Sequence, residues 1–235
     1  MSAQAARSMR EFLAAAPEVI AARVQAFLHA QGMEVRQPPA DNLRGDHREW
    51  FAGMPEVSEH PAEGSTLKAG PAVFECVETG GHCAGHLCLH DSRTGVLISG
   101  DQVLPTISPN VSVRTTAPDS DPLREFFRSM DRLERCAEDV LVLPSHGRPF
   151  RGLHRRLASL RAHHQKQLDL LLGACTEPSS AHDLLPTLFR RVPRGFHRLL
   201  AVGETLAHLN FLQAEGLLQR LPGGDGVLRF ARTGS

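Results

Sequence analysis

Three side chains able to bind a metal or carry a proton each follow a short apolar run: His82 in TGGH, Asp101 in SGD and His146 in PSHG. Strand ends in a layered α/β fold project side chains from one edge of a sheet, so residues far apart in sequence can meet there. Imidazole and carboxylate suit borderline and hard divalent metals. The neighbouring Gly80, Gly81, Gly100 and Gly147 let the backbone turn tightly beside such ligands. With 13 histidines in the chain, one alone carries little weight. All three in this setting point to a metal centre.

The other candidates are weaker. Cys83 follows His82 and Cys88 lies two residues past His86, but neither has a C-x-x-C partner, so both read as small buried hydrophobes. His163 and His164 lack a ligand at i, i+4 and read as a solvated pair. GGDG at 223–226 sits in a turn, and no G-x-S-x-G nucleophile elbow occurs.

The elements that must position these residues follow from apolar spacing. Phe12, Leu13, Val19, Ile20, Val24, Phe27 and Leu28 recur at helical intervals over 8–32, with a handover at Pro17 and a stop at Gly32. QPPADNLRGD (37–46) is a polar connector. AVFECVE (72–78), HLCLHD (86–91) and VLISGD (96–101) read as strands, the last two joined by the turn residues DSRTG. A loop over 108–121, an amphipathic helix over 121–136 and an apolar strand over 139–144 complete a layered α/β unit. Beyond Pro149 the pattern predicts a long helix marked by Leu153, Leu157, Leu160, His164, Leu168 and Leu171. Helices over 179–191, capped by Ser179 or Ser180, and over 195–216 come next. The last segment, 217–232, reads as two strands around GGDG. Helices followed by a two-stranded wing suggest a winged helix.

Composition narrows the class. At 235 residues and 41% hydrophobic, the chain has room for one or two soluble domains. Five cysteines without paired spacing and no signal-peptide pattern predict free thiols and a cytoplasmic location. No apolar run reaches the roughly 18 residues of a membrane helix. Charge is uneven: 145–199 holds ten Arg and Lys against three carboxylates, a net +7 in a chain whose total is zero. A solvated helix face or an anionic partner would each account for that.

The three motifs, with GVLISGDQVLPTISPNVSV, VLVLPSHGRPFRGLH and AHLNFLQAEG, resemble the second half of the metallo-β-lactamase superfamily. The subgroup most similar is the one related to glyoxalase II and the β-lactamase-like endoribonucleases, with a C-terminal winged helix. The resemblance covers 42–232. It implies an α/β fold, the C-terminal half of an αββα sandwich followed by a winged helix. The implied domains are an insert-like helical segment (1–41), the hydrolase-like domain (42–152) and the winged helix (153–235). It also implies that His82 completes one zinc site, that His146 completes a second and that Asp101 bridges the two. His86 would stand near as a supporting or substrate-side group, with a buried structural role an open alternative. The family's chemistry is metal-assisted attack of water on a carbonyl or phosphodiester.

The family's H-x-H-x-D-H motif, which supplies two further ligands to each ion, is absent; no H-x-H occurs anywhere in the chain. The nearest fragment, Gly45 to His47, fits the stretch after the insert. The first sheet of the sandwich is expected to be missing with it, in a truncated chain. Two consequences are expected. Each zinc would have two protein ligands where catalytic zinc takes three, unless one ion gathers His82, Asp101 and His146 together. The apolar runs at 72–78, 96–100 and 139–143 would leave a surface for self-association, for a partner chain carrying the missing half, or for the 8–32 helices to cover. The expected activity is metal-dependent hydrolysis of a small thioester or ester, with an inactive remnant left open. Two alternatives remain: a nucleic-acid binder or nuclease using Arg190, Arg191 and Arg194, and a non-catalytic subunit completing another chain.

Overall fold

The computed structural model describes residues 2–33, 57 and 59–234. Two helices come first, α1 (Ala3–Ala14) and α2 (Pro17–Ala30). Pro17 stands at the start of α2, where its missing N–H breaks no helical bond. Gly32, at φ 81°, ends the segment as expected. The connector at 37–46 and the Gly45 to His47 fragment lie outside the described residues.

Packing divides the chain into two units. The first holds Pro55–Val111 and Arg124–His164 with the start of the chain; the second holds Ser112–Leu123 and Gln165–Ser235 with α2. The division falls inside the long helix that begins at Leu153.

The first unit is built on a five-stranded sheet in sequential order: β1 (Thr66–Ala69), β2 (Ala72–Thr79), β3 (His86–Asp91), β4 (Val96–Gly100) and β5 (Leu141–Pro144). The first four pair antiparallel, and β5 lies parallel to β4 after crossing over through α3 (Pro122–Leu133). Strand β1 went unforeseen, because Thr-Leu-Lys-Ala is too short and too weakly alternating to stand out; it exists by pairing with β2 across the Gly70 turn.

One face of the sheet is buried. Leu97, Val142 and Cys88 are fully covered, as are Phe126, Met130 and Leu133 of α3 and Leu157 and Leu160 of α4 (Leu153–Ala174). Polar bonds tie α3 to the end of β2: Arg132 donates to the Glu78 carbonyl at 2.7 Å, and the Gly80 N–H donates to Ser129 at 2.8 Å. The opposite face is apolar and only partly covered. Leu89, Ile98 and Leu143 share one cross-strand row, with Ile98 36% exposed against 0% for its neighbour Leu97. Cys76, in the same row, is fully covered, so apolar exposure on this face is partial and greatest at Ile98.

The second unit contains α5 (Leu185–Leu188), α6 (Phe196–Ala214) and the hairpin β6 (Leu218–Pro222) with β7 (Leu228–Arg232). The helix expected over 179–191 shrinks to the four residues of α5. Ser179 instead bridges Phe230 of β7, and a reciprocal box joins Ser180 to Asp183. Leu206, Leu209 and Leu212 are buried as expected, while Phe189, Leu199, Leu200 and Phe211 are half-covered. His164 is not solvated. It is fully buried, meets Phe126 and Phe127 edge-on, and lies 3.4 Å from the Ser108 hydroxyl. No helix among the described residues is long and apolar enough to cross a membrane.

Candidate metal centre

Strand directions decide where the candidate residues go. β2 and β4 run the same way with β3 reversed between them, and β5 follows β4. The ends of β2, β4 and β5 and the start of β3 therefore share one sheet edge. His82, Asp101, His146 and His86 all emerge there.

Asp101 is the shared member. Its Oδ2 lies 3.6 Å from His82 Nε2, and its Oδ1 lies 3.4 Å from His146 Nε2. These separations exceed the roughly 2.9 Å of a good hydrogen bond. They approximate the spacing of two ligands on one tetrahedral zinc, about 3.4 Å for bonds of ~2.0–2.1 Å. Polarity points the same way. His82 Nδ1 lies 3.0 Å from the Asn110 carbonyl; with Nδ1–H donating there, the Nε2 lone pair faces a carboxylate oxygen. Asp101 Oδ1 is itself buried without a hydrogen-bond partner. Support of one ring nitrogen by a backbone carbonyl is usual for a metal-bound histidine.

The donors thus fit a divalent metal in type and spacing, but not in number. Among the described residues no group of three or more His, Cys, Asp or Glu could hold one ion. The two histidines address opposite oxygens of Asp101, so the single-ion set expected as a fallback is not formed. Each oxygen of Asp101 faces one of the two histidines.

The turns carrying these ligands are stitched together by residues that no local sequence pattern marks out. The Gln102 amide, 1% exposed, donates to the Gly80 carbonyl at 3.1 Å and joins the Asp101 turn to the His82 turn. The Ser145 N–H donates to the Gly100 carbonyl at 3.0 Å and joins the Asp101 turn to the His146 turn. Gly81, Gly100 and Gly147 all have positive φ, at 95°, 53° and 86°.

His86 stands behind this edge. Its Nδ1 lies 2.8 Å from Thr79 Oγ1, and its Nε2 is so close to Gly100 that a Cβ there would sit 2.5 Å away. Burial, then the neighbouring His82, lowers its pKa, with Asp101 opposing, so the ring is held neutral. Cys88 is fully buried, which pushes its thiol up to about 12 and makes it inert, as a small hydrophobe should be. Arg190, Arg191 and Arg194 lie exposed between α5 and α6, in the second unit.

A mixed sheet with two histidines and an aspartate between them at one edge defines an α/β protein with a candidate metal centre. The comparisons place it more narrowly. Residues 168–233 match the family described as the metallo-β-lactamase-like C-terminal domain. YqjP, a probable metallo-hydrolase of Bacillus subtilis, is 29% identical over 147 residues, which cover 60% of this chain and 45% of that protein. A β-lactamase domain protein from Burkholderia ambifaria is 45% identical with a TM-score of 0.74, covering 77% of this chain and 54% of its own. A metallo-β-lactamase family protein from Thermus thermophilus is 29% identical with a TM-score of 0.77, covering 98% and 69%. These similarities all point to the metallo-β-lactamase superfamily. It spans about half the length of the first two relatives.

Proposed function

We propose that this chain carries the Asp101-centred half of a two-ion metallo-hydrolase site whose substrate is a small thioester or ester. The carrying observation is the division of the Asp101 oxygens between His82 and His146. A divalent metal bound there would supply an activated water and polarise the carbonyl under attack. The chain's own residues do the positioning: Asn110 fixes the His82 tautomer, Gln102 and Ser145 hold the three turns in register, and His86 supports the turn before Asp101. His146, with its side chain 69% exposed, marks the solvent side. The remaining ligands come from outside the described residues. The half-covered face with Leu89, Ile98 and Leu143 is where a second sheet would pack, whether from a further segment, a second copy or a partner chain. Five unpaired cysteines fit a reducing compartment such as the cytoplasm.

A direct test is metal analysis of the purified chain followed by an assay on a glutathione thioester. With two protein ligands per ion, zinc is expected to be held weakly and turnover to be negligible. Tight retention of two ions with rapid turnover would refute the half-site reading.

We read α4, α5 and α6 followed by β6 and β7 as a winged helix, but not as a sequence reader. Between Ala201 and Asn210 every residue of α6 except Glu204 is buried, which leaves no face to enter a groove. Oligonucleotide binding is expected to be weak, sequence-blind and lost near physiological salt. Arg190, Arg191 and Arg194 to Ala together should remove most of it, because only phosphate contacts drive it. Fluorescence anisotropy across a salt series checks this. Submicromolar, sequence-selective binding at physiological salt would move the protein to the nucleic-acid class.

A further inference from the structure

The first turn of α6 carries a cation with no ion-pair partner among the described residues. Arg198 is half-buried, and its Nη2 donates to His182 Nε2 at 2.5 Å. Its Nε is buried with no hydrogen-bond partner. The ring accepts through a lone pair, and burial, then the Arg198 charge, lower the His182 pKa, with Asp183 opposing. One oxygen of Asp183, the carboxylate lining the same cleft, is engaged elsewhere: its Oδ2 accepts from the Ser180 N–H at 3.0 Å and the Ser180 hydroxyl at 2.6 Å. A buried charged donor without an acceptor is costly, and a guanidinium is shaped to meet an oxyanion with two parallel bonds.

The surroundings supply the rest of a site. His182, Arg194 and Arg198 line a cleft of about 430 Å³ with Asp183 and the apolar Pro186 and Val192. That volume falls within the ~300–1,000 Å³ of small-molecule sites. α6 opens beside it at Gly195, which provides no side-chain cap, and its first turn holds no acidic residue, so the positive helix end adds to the field.

We propose that this cleft binds a small molecule bearing an oxyanion, phosphate or carboxylate, on an apolar group. The Arg198 guanidinium takes the anion, Arg194 adds charge from the exposed rim, and Pro186 and Val192 take the carbon portion. The site lies wholly within the second unit and stands independently of the metal centre.

The test is NMR titration of the full chain with phenyl phosphate, phenylacetate and, as a neutral control, benzyl alcohol. Saturable shifts at 182–198 with one or both anions, and none with benzyl alcohol, are expected; the tighter of the two identifies phosphate or carboxylate as the preferred head group. Charge-assisted hydrogen bonds predict a loss of about tenfold or more in Arg198→Ala. Arg198→Lys, which keeps the charge without the fork, should lose less, and Arg194→Gln should lose a few-fold. If Arg198→Ala fails to fold, these two milder variants carry the test. The proposal is overturned by absence of saturable anion binding to the folded chain, or by unchanged binding in both Arg198→Lys and Arg194→Gln. A short oligonucleotide that displaces phenyl phosphate and binds more tightly would overturn it in favour of a nucleic-acid surface.

Discussion

Asp101→Ala is expected to abolish zinc binding, with a loss greater than about a hundredfold at concentrations that load the wild-type chain. Disturbing only the groups behind a metal ligand typically costs 10–100-fold, and Asp101 is more than such a group. Among the described residues it is paired with both histidines, with one oxygen toward each. Its loss leaves His82 and His146 with no shared donor, whereas His82→Ala or His146→Ala removes one side of the bridge. His90→Ala is the control, because His90 sits within β3 opposite Glu75 and Leu97, away from the sheet edge. Competition against a chromophoric chelator measures all four variants, with circular dichroism to confirm folding. Zinc retained by folded Asp101→Ala, or lost equally in His90→Ala, would remove Asp101 from the centre of the site.

The division between what was legible and what was not follows the range of each interaction. Strands β2 to β5 and their turns were readable because short apolar runs bounded by glycine and polar residues are a local signal. The placement of His82, Asp101 and His146 at strand ends came with them. The bonds that hold these residues in register did not, since Gln102 reaches back 22 residues to Gly80, and His82 reaches 28 residues forward to Asn110. Nothing in the local pattern distinguishes that glutamine from a surface one. The 179–191 stretch departs from its helical pattern for a related reason: its leucines keep helical spacing, but pairing of Ser179 with Phe230, 51 residues away, draws the start of the segment into the hairpin. His164 was judged from its histidine neighbour in sequence, while its environment is set by Phe126 and Phe127 of α3. The Arg198–His182 pair was missed because neither residue belongs to a motif; only the fold brings them together.

Gly81→Ala is expected to destabilise the first unit and displace His82 in the same event. Gly81 has φ 95°, where an L side chain is strained, and a Cβ there would lie 2.5 Å from Phe126 Cβ and 2.8 Å from the Phe126 backbone. Backbone strain of about 1–2 kcal/mol and overpacking of about 1–3 kcal/mol together give about 2–5 kcal/mol. That is a large part of the roughly 5–15 kcal/mol by which domains are stable. α3 cannot yield easily, because Phe126 is fully buried and Ser129 is bonded to Gly80. The turn must move instead, and it carries His82 away from Asp101 and Asn110. The expected result is a Tm lower by about 5–15 °C, with metal binding impaired even below the transition. Gly70→Ala separates the two causes: its φ is also positive, at 59°, but nothing lies within 4 Å of a Cβ there, so it should show only the backbone cost and leave the metal centre intact. Equal Tm shifts in the two variants would mean that the contact with α3 does not set the position of His82.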